Sequence, residues 1–121
     1  MSDRELLELA AKAAGYQLST MMRSLSRPPM PVILAESGRW KQWDPLHDDG
    51  DALRLAAKLK LAVAYTLDEI PCEPSKCMVG KKPWNGGEPI CWERFQGDQE
   101  RYAATRRAIV RAAAEIGRQM G

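Results

Sequence analysis

From Asp98 onward the apolar side chains recur at helical spacing. Tyr102, Thr105, Ile109, Ala112, Ala113, Ile116 and Met120 form one stripe, and Arg101, Arg107, Arg111 and Arg118 lie largely off it. An amphipathic helix of this kind is stable only if something covers its stripe, so the rest of the chain has to supply a packing surface. The spacing predicts one continuous helix over residues 98–119, with Ile109, Ala113 and Ile116 turned toward a sheet.

The material for such a sheet lies upstream. Ser2 and Glu5 have capping-box spacing, Leu6, Leu9, Ala10, Ala13 and Ala14 follow at helical intervals, and Gly15 suits the left-handed residue that ends a helix. Residues 16–30 carry Ser, Arg and the pair Pro28-Pro29, the pattern of a short extended piece and then a loop. Residues 31–36 predict a strand, Ser37-Gly38 a turn, and residues 39–43 its continuation. Asp48, Asp49 and Asp51 stand where a second helix, residues 52–60, should begin; carboxylates there cap free N–H groups and oppose the positive helix end. Residues 61–66 are apolar and β-prone, as expected of a buried strand. Residues 76–82 and 89–95 predict a hairpin joined through Asn85-Gly86-Gly87, which supplies positive-φ positions. The order helix, strands, helix, strands, helix predicts a single α+β domain over residues 1–121. Its sheet should be mainly antiparallel and packed by helices.

The chain's 121 residues suffice for one core, and 45% hydrophobic against 28% charged residues is the balance of a globular protein. A net charge of +2 gives no global field to attract nucleic acid or an anionic membrane, so such a partner would need a local patch. No apolar run approaches a membrane span, and the first residues show no signal-peptide pattern. A cytoplasmic protein with reduced thiols at Cys72, Cys77 and Cys91 is expected.

Trp43-Asp44-Pro45-Leu46, followed by Asp48-Asp49-Gly50-Asp51-Ala52-Leu53-Arg54-Leu55-Ala56, resembles the leading motif of small phage and prophage proteins grouped as the phage ABA-sandwich domain. Residues 3–15 and 104–117 resemble the opening and closing helices of the same family, so the likeness covers about half the chain. The resemblance implies an α-β-α sandwich in a bacterial host cell. It carries no catalytic residues, and residues 17–31 depart from its pattern.

Several constellations invite a chemical reading. Asp44, Asp48, Asp49 and Asp51 are hard oxygen ligands, yet they lack EF-hand spacing, and capping accounts for each. Cys72, Cys77, Cys91 and His47 contain a Cys₃His set, but the tightest pair is Cys-x₄-Cys, and strand alternation should bury Cys77 or Cys91 instead. His47 with a cysteine is a nucleophile pair on paper only. Val79-Gly80-Lys81-Lys82 lacks the glycine loop of a phosphate cradle. The sequence therefore calls for no catalytic, metal or cofactor residues.

What remains are contacts. Arg106, Arg107, Arg111 and Arg118 form a cationic ridge that Lys81, Lys82, Trp84 and Trp92 could extend toward a nucleic acid, though Glu100 and Glu115 interrupt it. Four tryptophans accompany a single phenylalanine; packing suits Trp43 and Trp92, whereas Trp84 in its glycine-rich turn is a candidate contact. The expected function is that of a non-catalytic phage or prophage accessory protein binding a host or phage protein. Trp84, Arg107 and Arg111 are its candidate partner contacts, and nucleic-acid binding through the basic helix face is the alternative.

Overall fold

The computed structural model describes residues 2–19, 32–34, 38–65, 75–81 and 89–120. Along them run α1 (Asp3–Ala14), β1 (Leu18–Ser19), β2 (Val32–Leu34), β3 (Trp40–Gln42), α2 (Asp49–Leu59), β4 (Ala62–Tyr65), β5 (Ser75–Gly80), β6 (Cys91–Phe95) and α3 (Gly97–Gln119). The expected α+β class is observed, with two antiparallel sheets and α3 packed on one of them.

The helix ends follow from local chemistry. At α1 the Glu5 N–H donates to Ser2 Oγ at 3.2 Å and the Ser2 N–H donates to Glu5 Oε2 at 3.3 Å, which completes the capping box. Gly15 closes the helix at φ +75°; its N–H donates to Lys12 O and that of Tyr16 to Ala11 O. Helix α2 ends on the same double bond pattern, with Lys60 donating to Ala57 O and Leu61 to Ala56 O. Here a lysine occupies the left-handed position, at φ +56°. Helix α3 follows β6 through Gly97 at φ +74°, a conformation that glycine adopts without penalty, and the Glu100 carboxylate accepts the Gln96 N–H at 2.8 Å.

Strands β1, β2 and β3 form one antiparallel sheet, with Leu18 opposite Ile33 and Ile33 opposite Lys41. Strands β4, β5 and β6 form another, in which Val63 faces Val79 and Val79 faces Cys91. Alternation sorts the second sheet into two faces. Cys77, Val79, Cys91 and Phe95 are buried, while Trp92 and Arg94 point the other way and are exposed.

Helix α3 forms the centre of the molecule, with α1, α2, β5 and β6 all packed on it. Ala104, Ala108, Ile109, Val110, Ala112, Ala113 and Ala114 are all buried, a wider arc than one stripe. Ala108 and Thr105 meet the sheet: the Cys91 thiol donates to Ala108 O at 2.9 Å, and Tyr65 Oη and Thr105 Oγ1 are 2.8 Å apart. On another side, Gly117 lies against α1 so closely that a Cβ there would run into the Leu9 carbonyl. The continuous helix was expected, but a common orientation of Ile109, Ala113 and Ile116 toward the sheet was not what formed. Ala113 precedes Gly117 by one turn and so lies on the α1 side, and Ile116 is only half-buried. Small side chains let α3 be covered from two directions, and a search for a single stripe cannot register a second face. Trp43 is buried as expected, with Tyr16 edge-on at 5.7 Å. Among the described residues, no helix is long and apolar enough to cross a membrane.

Candidate functional site

The acidic turn before α2 is occupied by its own chemistry. Asp48 caps the helix by accepting the Asp51 N–H at 2.8 Å, and Asp51 Oδ2 accepts the Asp44 N–H at 2.9 Å. Asp44 contacts His47 Nδ1 at 3.0 Å, and Asp51 also receives Arg54 at 3.2 Å. Asp49 pairs with Arg106 at 2.6 Å, while Arg106 Nε donates to Leu46 O at 3.0 Å. Each of the four carboxylates thus has a partner in a cap, a turn or a tie between α2 and α3. Arg106 is drawn off the cationic ridge, with its side chain only 19% exposed.

The cysteines and the histidine lie on different elements. Cys77 and Cys91 are both buried and unbridged at the seam between the second sheet and α3, whereas His47 is exposed in the turn ahead of α2. Burial pushes the Cys91 thiol up to about 11, against a smaller opposing pull from Arg111. Burial raises Cys77 as well, although the Thr105 hydroxyl partly offsets it. Nucleophilic cysteines need the opposite displacement, since the thiolate is the reactive form. Cys72 and Lys82 lie outside the described residues, as does Trp84, the sequence's leading contact candidate.

The other two contact candidates, Arg107 and Arg111, do share the exposed side of α3. Both turn to Glu93 on β6. Arg111 Nη1 is 2.5 Å from Glu93 Oε1 and Arg107 Nε is 3.8 Å from the same oxygen; Arg107 Nη1 also reaches Asp3 Oδ1 at 3.6 Å. The hydrogen bond that Arg111 donates to Glu93 raises the Arg111 pKa. Further along, Arg118 Nη2 meets Glu115 Oε1 at 2.7 Å, which lowers the Glu115 pKa. Arg107, Arg111 and Arg118 are therefore a row of ion pairs, and much of their charge is balanced where it stands.

Beside this row an open groove of about 910 Å³ follows β6, lined by Ile90, Trp92, Glu93, Arg94 and Arg111 among others. A second hollow of about 690 Å³ shares Ile90, Glu93 and Arg111 and continues to Arg107 and Glu115. The expected packing of Trp92 is corrected at this point: it is 44% exposed. Lys76 Nζ stands 4.9 Å from its ring centroid and Arg94 Cζ 5.3 Å, so two cations stack on the indole. Cross-strand pairing places Met78 beside Trp92 and Ala64 beside Met78.

Glu93, Arg94 and Lys76 were absent from the contacts expected of the sequence, and Trp92 entered only as an extension of the basic ridge toward a nucleic acid. The alternation Cys91-Trp92-Glu93-Arg94-Phe95 was a usable signal for the exposure of Trp92 and Arg94, because burial of Cys91 and Phe95 sends the residues between them outward. The meeting of Glu93 with Arg107 and Arg111 had no local signal. Comparison of the chain with protein-family profiles, with curated proteins and with solved structures finds no match in any of the three.

Proposed function

We propose that this chain is a non-catalytic accessory protein, of the phage or prophage class suggested by its Trp43-Asp44-Pro45-Leu46 motif, that acts in a host cytoplasm by binding another protein. The observation that carries this reading is the contrast between its two exposed basic regions. On α3, Arg107, Arg111 and Arg118 are each engaged by a carboxylate, which weakens the phosphate-attracting field that a nucleic-acid face requires. On the outer side of the second sheet, an exposed indole stands in a cross-strand row with Met78 and Ala64, with cations at its rim. An aromatic anchor with a polar surround is the composition of a protein contact. Two buried thiols with raised pKa values and carboxylates spent on caps favour binding over catalysis.

Titration of labelled random duplex DNA and single-stranded RNA across a range of salt tests the reading. The expected result is negligible binding at physiological salt. Tight, salt-sensitive binding that the double substitution Arg107→Ala and Arg111→Ala abolishes, with the fold intact by circular dichroism, would replace the protein-binding reading with nucleic-acid recognition. Once a protein partner is in hand, Trp92→Ala and Trp84→Ala should weaken its binding more than the arginine pair does.

A further inference from the structure

Resting on the protein-binding reading above, we propose that β6 is a docking edge, which takes up an extended acidic segment of the partner protein as an added strand. In the order β4-β5-β6, β6 pairs among the described residues with β5 on one side only. The Trp92 carbonyl accepts from Arg111 Nη1 at 3.4 Å, so it points away from β5 toward the open edge. A strand residue directs its N–H and C=O to the same side, and the pattern repeats every second residue. Trp92 and Arg94 thus present their backbone groups outward, in the arrangement that templates another strand. The contact between Arg111 and Trp92 is long and is readily exchanged for a backbone bond.

The groove beside β6 gives the added strand its space, and the side chains give it a charge preference. Of the residues lining the groove, Arg94 and Arg111 are cationic and only Glu93 is acidic; Glu93 and Arg111 answer each other, so Arg94 leaves the lining with a net positive charge. Lys76 and Arg94 flank Trp92 on the outer face. A strand laid along β6 sends alternate side chains over Trp92 and toward the α3 arginines. Aspartate or glutamate on the Trp92 face meets Arg94, and a β-branched residue over the indole buries apolar area. A nucleic acid offers no ladder of alternating N–H and C=O groups, so the edge selects a polypeptide.

The test is selection of random dodecapeptides displayed against the full chain, followed by binding of the selected peptides in synthetic form. The selected sequences should be rich in Asp and Glu, with β-branched residues at alternate positions. N-methylation of alternate peptide amides should weaken binding about tenfold or more, as expected for the loss of one or two ladder hydrogen bonds. In hydrogen exchange, the Trp92 and Arg94 amides should gain protection when peptide is bound. Arg94→Glu should weaken binding by a comparable factor, and Arg39→Glu, outside the groove, should not. Selected peptides that ignore N-methylation and leave the Trp92 and Arg94 amides unprotected would overturn strand addition while leaving protein binding intact. Selection of basic peptides, or of none above a scrambled control, overturns the proposal as well. Salt-sensitive nucleic-acid binding is the separate result that removes the protein-binding reading beneath it.

Discussion

Two single residues hold the helices of this protein in ways that their side chains do not announce. Lys60 ends α2 in the left-handed conformation that Gly15 provides for α1, with the same pair of backbone bonds in each case. A side chain in that conformation is disfavoured by about 1 kcal/mol relative to glycine, because Cβ crowds the backbone. Lys60→Gly should therefore stabilise the protein by up to about 1 kcal/mol, partly offset by the greater freedom of glycine in the unfolded chain. Urea denaturation should show a higher midpoint at unchanged slope; a lower midpoint would contradict this account. Gly117 presents the reverse case. Its Cα lies on the backbone of Leu9, so Gly117→Ala forces α1 and α3 apart despite the better helix propensity of alanine. The expected loss is about 2 kcal/mol, the range found for overpacked interiors, and it should appear as a Tm lowered by several degrees. A Tm at or above that of the parent would show that the two helices can separate freely.

Between elements, the important tie is the one from β6 to α3. Glu93 occupies the helix-facing side of its strand and draws in Arg107 and Arg111. One carboxylate thereby offsets much of the charge of a ridge that the helix sequence alone presents as basic. Glu93→Gln keeps the shape but removes that offset. The variant should bind random DNA more tightly than the parent at low salt, and the gain should vanish as salt rises toward physiological strength. Filter binding at several salt concentrations measures this directly. Equal DNA binding by parent and variant would show that Glu93 does not control the ridge. Arg106 makes the corresponding tie from α3 to the start of α2, through Asp49 and the Leu46 carbonyl, so the ridge loses a member to architecture.

At the scale of the whole molecule, burial of thiols couples stability to alkaline pH. Cys91 titrates near 11 in the folded protein, whereas a thiol in the unfolded chain titrates near 9.0, and Cys77 is raised in the same direction. Between those values the unfolded chain loses the Cys91 proton and the folded chain keeps it. Stability is therefore undiminished below the unfolded pKa and falls as pH rises toward the folded one. Denaturation at about pH 8 and about pH 10.5 should show a steeper alkaline loss in the parent than in Cys91→Ala, the variant serving to cancel other titrating groups. Parallel losses would mean that the Cys91 thiol ionises as readily folded as unfolded. The same burial should make native Cys77 and Cys91 slow to alkylate near neutral pH and fast in denaturant.

The sequence by itself determined what local chemistry controls. The capping box at Ser2 and Glu5, the helix stop at Gly15, the aspartate cap of α2 and the long α3 are all legible, because each depends on residues within a turn or two of one another. The pairing of β5 with β6 was legible from its flanking strands, and alternation foretold the burial of Cys77 or Cys91, of which both are buried. The tertiary structure alone decided the rest. It set α3 between α1 and the second sheet, because alanines and Gly117 permit close approach on more than one side. It brought Glu93 to Arg107 and Arg111 across a strand and a helix, which turned a basic ridge into ion pairs. Trp92 is the mixed case, turned outward by the alternation of β6 where the sequence had favoured packing. Local patterns specify which side chains lie together on one element. Which face is covered, and which charge is answered, depends on what the chain folds against it.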